Sequence, residues 1–454
     1  MRFEWFVAKR YLRGAHRGRT YISTAGVTIG VAVLVVVISV MNGFEREFLG
    51  KMLGAFGHLR LIPPGGLTDY QAWVPRFRKR PGVEGVSPMI EEGVLIVADS
   101  NRYSEPRAQF ARVRGIDPDL EGGASDLIGA RYIGEWGDLA SKPDLPEATS
   151  ATMIDPFAIE AETPGIFLGI EAAKTLFPPP EFLALADKDP RLKDFFSREA
   201  MGKRVRLIVP STSRGPSMQE LFTIQVEVKG IFKTGFYDFD SLYLLSSLDT
   251  ARLLKRYPRD IVEALEVRLD NPDPSHTLAV GMDLIEQASD TYHTQFYFSP
   301  WMAISPNLLK AVQIEKVVMS AILTLMVLVA AFGIASTLVM TVMEKTREIG
   351  TLMALGSRRR SVMAIFILNG LQVGLFGTFL GILTGLGICE LIQVLNIPMP
   401  GGGGVYVLDV LPVQIRWLDV LRIGLFSLVA STVAGVYPAW KASKLNPVEA
   451  LGYE

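Results

Sequence analysis

Four stretches of the chain contain no Asp, Glu, Lys or Arg: residues 21–42, 317–343, 361–389 and 423–440. Each is apolar around its whole helical circumference rather than along one stripe, the pattern of a helix with no water-facing side. A membrane-spanning helix needs about 20 predominantly apolar residues. The first three runs meet that length, and the fourth, 18 residues with Tyr437-Pro438 near its end, suits a span that finishes at the interface. The first run exceeds the ~7–15 residue core of a signal peptide and leaves through MNGFERE, so it reads as an uncleaved anchor. The pattern therefore predicts four transmembrane α-helices.

Between the first two runs the period changes. GVLIVAD around Val94, RVRLIVP at 204–210, FTIQVEVKGIF at 222–232 and IVEALEVRL at 261–269 alternate as strands do. Residues 163–176 read as a turn or short strand followed by a helix. Residues 177–200, with three consecutive prolines, read as an insertion, and the acidic, Pro-containing stretch 132–156 as a surface loop. This segment is expected to be a large α+β domain between helices 1 and 2, with room for two lobes. Its two ends continue the membrane helices. Phe44, Phe48, Leu49, Met52, Leu53 and Phe56 recur at helical spacing, and Ser305-Pro306 supplies a capping Ser followed by Pro. A helix from Pro306 to Met343 would be about 57 Å long, beyond the ~30 Å hydrocarbon layer. The excess predicts stalks that either pack the domain onto the membrane or transmit motion to it.

Charge sets the expected orientation. Residues 1–20 hold six basic residues against Glu4 alone, and 344–360 hold five against Glu344 and Glu348. Basic residues near span ends favour the cytoplasm. The expected order is a cytoplasmic amphipathic N-terminus (1–20), span 1 (21–42), an outer domain with helical stalks (43–316), span 2 (317–343), a cytoplasmic coupling segment (344–360), span 3 (361–389), a short outer loop (390–422), span 4 (423–440) and a cytoplasmic C-terminus (441–454). The domain itself carries 31 basic and 39 acidic residues.

Composition agrees. The 454 residues are 49% hydrophobic and only 20% charged, below the ~25% charged of soluble domains, with a mean hydropathy of +0.27. A net charge of −1 argues against nucleic acid as partner. A single cysteine, Cys389, excludes an intrachain disulfide, and four scattered histidines suggest no metal site. No GxxxxGK[ST], GxSxG or HExxH is present, and the apolar runs carry no ionisable relay. The chain is expected to be non-catalytic, with no cofactor of its own.

One cytoplasmic segment looks functional. In EKTREIGTLMALGSRRR, Ile349, Leu352, Met353 and Leu355 form an apolar edge, and Glu344, Lys345, Arg347 and Glu348 a charged one. It reads either as an amphipathic helix at the interface or as a coupling helix inserted into a groove on a soluble ATPase.

These residues resemble the FtsX/MacB-type permeases, the type VII ABC transporters. More specifically, VMNGFEREF at 40–48 is similar to the first-helix exit of the lipoprotein-releasing permeases of the LolC/LolE family. FVAKRYLR, TPGIFLG, FKTGFYDFDS and YPAWKASKLNPVEALGYE also resemble that family, while Gly452 and the 177–200 segment depart from it. The resemblance implies an inner-membrane permease with a MacB-like periplasmic domain and both termini cytoplasmic. It would extract triacylated lipoproteins from membrane lipids and pass them to a periplasmic carrier. A separate ABC ATPase subunit, holding ATP and Mg, would drive it, and a second permease protomer, identical or paralogous, would complete it. Candidate walls of the substrate cavity are Met41, Phe44, Phe48, Met319, Leu323 and Met326, each equally readable as helix packing. PSTSRGP at 210–216 resembles a carrier hook, with Pro210, Ser211, Arg214, Gly215 and Pro216 as its residues, or is a plain hairpin turn. An FtsX-like regulator, deforming its domain to activate a cell-wall hydrolase without moving lipid, is the alternative.

Overall fold

The computed structural model describes residues 4–7, 17–98, 106–139, 163–180, 190–210, 221–258, 260–292, 295–303, 306–397 and 410–445. The described residues fall into two compact units, one drawn from Met1–Arg46, Lys310–Pro398 and Val410–Glu454, the other from Glu47–Leu309. Helix α1 (Arg17–Ala55) runs without a break from the first unit into the second.

The second unit is built from β1 (Leu59–Ile62), α2 (Tyr70–Arg78), β2 (Val83–Ala98), β3 (Arg107–Ile116), α3 (Pro118–Ala124), β4 (Arg131–Ile133), β5 (Gly165–Gly169), α4 (Ile170–Leu176), α5 (Pro190–Glu199), β6 (Arg204–Pro210), β7 (Leu221–Phe232), α6 (Tyr237–Leu242), β8 (Tyr243–Ser247), α7 (Leu248–Lys255), β9 (Ala264–Leu269), α8 (Pro274–Tyr292) and β10 (Tyr297–Pro300). The long strand β2 divides it into lobes. Its first half pairs with β9, which pairs in turn with β1 and, through β1, with β10. Its second half pairs with β3 and β6, and the series β2–β3–β8–β5–β7–β6 returns to β2, closing a six-stranded barrel. Closure removes the unpaired edges that an open sheet would expose. The barrel is filled by alternate strand residues such as Val94, Ile96, Val113, Leu168, Leu207 and Val226. The other lobe buries Leu59, Leu61 and Val267 beneath Trp73 and Phe77 of α2 and Leu284 of α8.

Three expectations are corrected here. Residues 177–200 are not a mere insertion: α5 places Leu192 and Phe196, one turn apart, fully buried in the barrel core. Nor are 132–139 simply a surface loop, and 140–156 lie outside the described residues. Tyr132 and Ile133 belong to β4, which pairs with β7, and Leu139 is buried. The strand expected over 261–269 begins at Ala264, because Val262 bridges to Leu67 instead.

The first unit combines α1 with α9 (Pro306–Glu344), α10 (Thr346–Ala354), α11 (Arg359–Leu395) and α12 (Trp417–Ser443). Among the described residues, four helices are long and apolar enough to cross a membrane: α1, α9, α11 and α12. Their shared core joins Val27, Val31 and Val35 of α1 to Ile334 and Leu338 of α9, Val373 of α11 and Ile423 of α12. Along α11, Gly377, Gly381 and Gly385 face Val27, Val31 and Val35 in turn. Matching four-residue spacings let the two backbones approach, as small residues do between membrane helices.

Candidate functional site

The motif at the end of the first apolar run is a knot of contacts. Asn42 donates through Nδ2 to Asp419 Oδ2 of α12 at 2.9 Å. Gly43 backs onto Pro412 so closely that a Cβ there would lie 2.5 Å from the Pro412 carbonyl oxygen. The Ser39 carbonyl accepts from the Gln414 N–H at 2.8 Å, and Gln393 of α11 donates to the Val413 carbonyl at 2.9 Å. Half a turn beyond Gly43, Glu45 accepts from Lys316 Nζ of α9 at 2.6 Å. A short stretch of α1 is thus tied to α9, α12 and the segment leading into α12, which α11 holds in turn. Glu45 and Lys316 each lie just beyond an apolar run, where the two helices leave the hydrocarbon.

Around this collar, Met41 and Phe44 are half-buried, as is Met319, while Met326 is exposed. Leu323 lies on α9 between those two methionines, and its side chain is outside the described residues. Near them Val317, Val318, Ile322, Leu325 and Val329 are exposed too. Together these exposed residues cover about half of the helix circumference, a face that requires lipid or another apolar surface against it. Phe48 is a correction. Its ring is 8% exposed and meets Phe236 edge-on at 5.7 Å, inside the second unit. It packs the domain rather than lining an open cavity, because helical phase turns it toward Phe236.

The expected coupling segment forms α10, with Lys345 as its cap residue and a 2.5 Å ion pair from Lys345 to Glu348. Ile349 does not lie on an outward apolar edge. It is 1% exposed and packs with Val342, Val362, Phe366, Ala439 and Ala442, with Met353 leaning on the same cluster. Leu352 is half-buried, and Glu344, Arg347 and Glu348 are exposed. The outward apolar side chain is Leu355, at 81% exposure, followed by exposed Arg358, Arg359 and Arg360. Of the expected hook, Pro210 ends β6 opposite Leu221 of β7, so 211–220 joins two antiparallel barrel strands. Ser211, Arg214, Gly215 and Pro216 lie outside the described residues.

Sequence reading missed two buried polar groups in the second unit. Arg114 has no solvent exposure and donates to Glu121 at 2.8 Å and to Glu266, both equally buried. Ser87 and Ser125 donate to Glu121 at 2.6 and 2.7 Å. Asp240, in FKTGFYDFDS, accepts from Thr234 N, Thr234 Oγ1 and Gly235 N at 2.9, 2.7 and 3.0 Å. Burial raises its carboxyl to about 6, against the opposing pull of those bonds. The only sequence signal for either was an acid or a base inside an apolar alternation.

Fold and collar together define a four-span membrane protein with an α/β domain inserted between its first and second spans. The family model for the MacB-like periplasmic core domain matches residues 20–279, and the one for the FtsX-like permease C-terminal matches 320–447. The lipoprotein-releasing system transmembrane protein LolC of Neisseria meningitidis is 29% identical over 99% of both chains. LolE of Haemophilus influenzae, a protein of the same description, is 26% identical over 99% of both. The macrolide export ATP-binding/permease protein MacB of Bartonella quintana is 23% identical over 99% of this chain and 59% of its own length. The chain belongs to the FtsX/MacB-type family of ABC-transporter permeases, and its α/β domain is the periplasmic core domain of that family.

Proposed function

We propose that this chain is the permease subunit of a transporter that lifts triacylated lipoproteins out of the inner membrane and hands them to a periplasmic carrier. The observation that carries the reading is similarity to lipoprotein-releasing permeases over the whole chain, spans and periplasmic domain alike. Physical chemistry says why such a protein needs a motor. Each buried CH₂ holds by about 0.8 kcal/mol, so three acyl chains hold by roughly tens of kcal/mol. Non-covalent binding saturates near ~20 kcal/mol, so no passive surface extracts them.

In this reading a separate ABC ATPase, holding ATP and Mg, docks on α10 and the Leu355 tip. Both termini are cytoplasmic, following the basic residues at 1–20 and 344–360. Two permease protomers enclose an apolar cavity at the collar, lined by Met41, Phe44, Met319, Leu323 and Met326. Met and Phe suit varied acyl chains because they adapt in shape. The 211–220 connection between β6 and β7 meets the carrier through Arg214. The test is a photo-crosslinker at Met326 in the assembled transporter. It is expected to label triacylated lipoprotein without nucleotide and to lose it once ATP binds. Labelling of protein alone in both states would favour an FtsX-like regulator that moves no lipid.

A further inference from the structure

The end of α1, from Phe48 onward, and the family-like segment FKTGFYDFDS meet each other inside the second unit. We propose that Asp240 and Arg114 hold the last two turns of α1 in a two-point joint with the periplasmic domain, and that this joint stays closed throughout the transport cycle. The inference rests on the permease reading above and names the positioning residues through which α1 moves the domain.

The first point is aromatic. Phe48 and Phe56 are both buried. Phe56 meets Phe239 at 5.0 Å and Tyr243 at 5.6 Å, while Phe236 closes on Phe48 at 5.7 Å and on Phe56 at 6.5 Å. Phe236 owes its position to the turn before it, and that turn is held by one buried carboxylate. Asp240 takes three donors from Thr234 and Gly235, and Thr234 Oγ1 accepts in turn from Phe236 N at 3.1 Å. Asp240 thus acts on α1 through Phe236.

The second point is the helix end. A helix C-terminus leaves carbonyls without partners, and here the domain supplies them. Gly54 O accepts from Asp126 N at 2.8 Å, and Arg114 Nη1 lies 3.5 Å from Ala55 O. Just past the helix, Gly57 N donates to Glu266 Oε1 at 2.8 Å, and Glu266 is held by Arg114. Withdrawing α1 would strand buried charges and open backbone groups together. A slipping joint would need softer, wetter contacts.

A disulfide tests this directly. A Cβ added at Gly54 lies 3.6 Å from the Cβ of Asp126, within the ~3.5–4.5 Å span of a disulfide. Full-length protein carrying Cys389→Ala, Gly54→Cys and Asp126→Cys is assembled with its ATPase in proteoliposomes. Oxidation is expected to lock α1 to the domain and leave both ATP hydrolysis and lipoprotein release within about twofold of the reduced sample. Release that collapses on oxidation and returns with reductant overturns the proposal, as does failure of the disulfide to form.

Spin labels at Gly50→Cys and Asp238→Cys give a readout independent of substrate. Their distance is expected to stay fixed between nucleotide-free and ATP-bound states and to broaden in Asp240→Ala. A shift of several ångströms on ATP binding, or an unbroadened distribution in Asp240→Ala, overturns it. Should the lipoprotein reading itself be wrong, the reduced transporter releases none while the distance measurement still judges the joint.

Discussion

Gly381 of α11 sits so close to Val31 of α1 that a Cβ on the glycine would lie 2.6 Å from the valine Cβ and 2.8 Å from the Thr28 carbonyl. The second contact is backbone and cannot rotate away. Gly381→Ala is therefore expected to lower the stability of the detergent-solubilised protein by about 1–3 kcal/mol, the usual cost of overpacking, and Gly381→Leu by more. Val31→Ala should recover only part of the Gly381→Ala loss. Thermal melts of the three variants check this, and an unchanged Tm for Gly381→Leu would contradict the packing.

The Glu45–Lys316 pair makes a different kind of demand. Partly exposed pairs contribute little to stability, about 0.2–1 kcal/mol. Its reversal should cost function rather than fold, because it sets the spacing of α1 and α9 at the membrane surface. Glu45→Lys is expected to cut lipoprotein release several-fold with less than a 3 °C change in melting, a shift on the order of 1 kcal/mol for a chain this size. Lys316→Glu added to it should restore release. A double variant as inactive as the single one would show that the pairing itself is not what matters.

Ile349 and Leu355 separate folding from coupling. Ile349→Glu places a charge in the cluster with Phe366 and Ala439, and the protein is expected to lose yield and melt early. Leu355→Glu should fold normally and yet lose substrate-stimulated ATP hydrolysis, since its side chain faces outward. Size-exclusion profiles and ATPase rates measured together decide the matter. Normal coupling in Leu355→Glu would remove that residue from the ATPase contact.

Asp240 gives a pH dependence of known sign. Its carboxyl titrates near 6 in the folded protein, above the ~3.9 of an unfolded chain. The folded state therefore binds the extra proton, and the stabilisation this brings is complete below about pH 4 and lost as pH rises through 6. The melting difference between the unaltered protein and Asp240→Asn should shrink from pH 4.5 to pH 7.5. Growth of that difference with pH would mean the hydrogen bonds outweigh burial.

The four spans were legible because absence of charge needs no tertiary context. Strands β6 and β7 were legible for a similar reason, since alternation is local. The collar was not. Asn42 and Asp419 are 377 positions apart, and Glu45 and Lys316 are 271 apart. VMNGFEREF drew attention to its phenylalanines, whereas Asn42 and Glu45 make the contacts between helices and Gly43 backs onto the segment before α12. Helical spacing placed Ile349, Leu352, Met353 and Leu355 on one amphipathic segment, but which of them faces inward depends on where α11 and α12 pass. Barrel closure likewise rests on Leu95 pairing with Ile208, a choice that neither strand's own pattern makes.

The strand order also has a consequence in time. Strand β1 follows α1 directly, yet its partners are β9 and β10: Leu59 lies opposite both Val267 and Pro300. During synthesis α1 enters the membrane with Leu59 and Leu61 already beyond it, while nearly the whole domain has still to cross. Such distant pairing is slow to form and leaves an apolar strand open to wrong partners meanwhile. The barrel, by contrast, completes once β8 is across. The lobe built on β1, β9 and β10 is thus the last to finish, and this protein's vulnerable period falls between the arrival of its first span and that of its second.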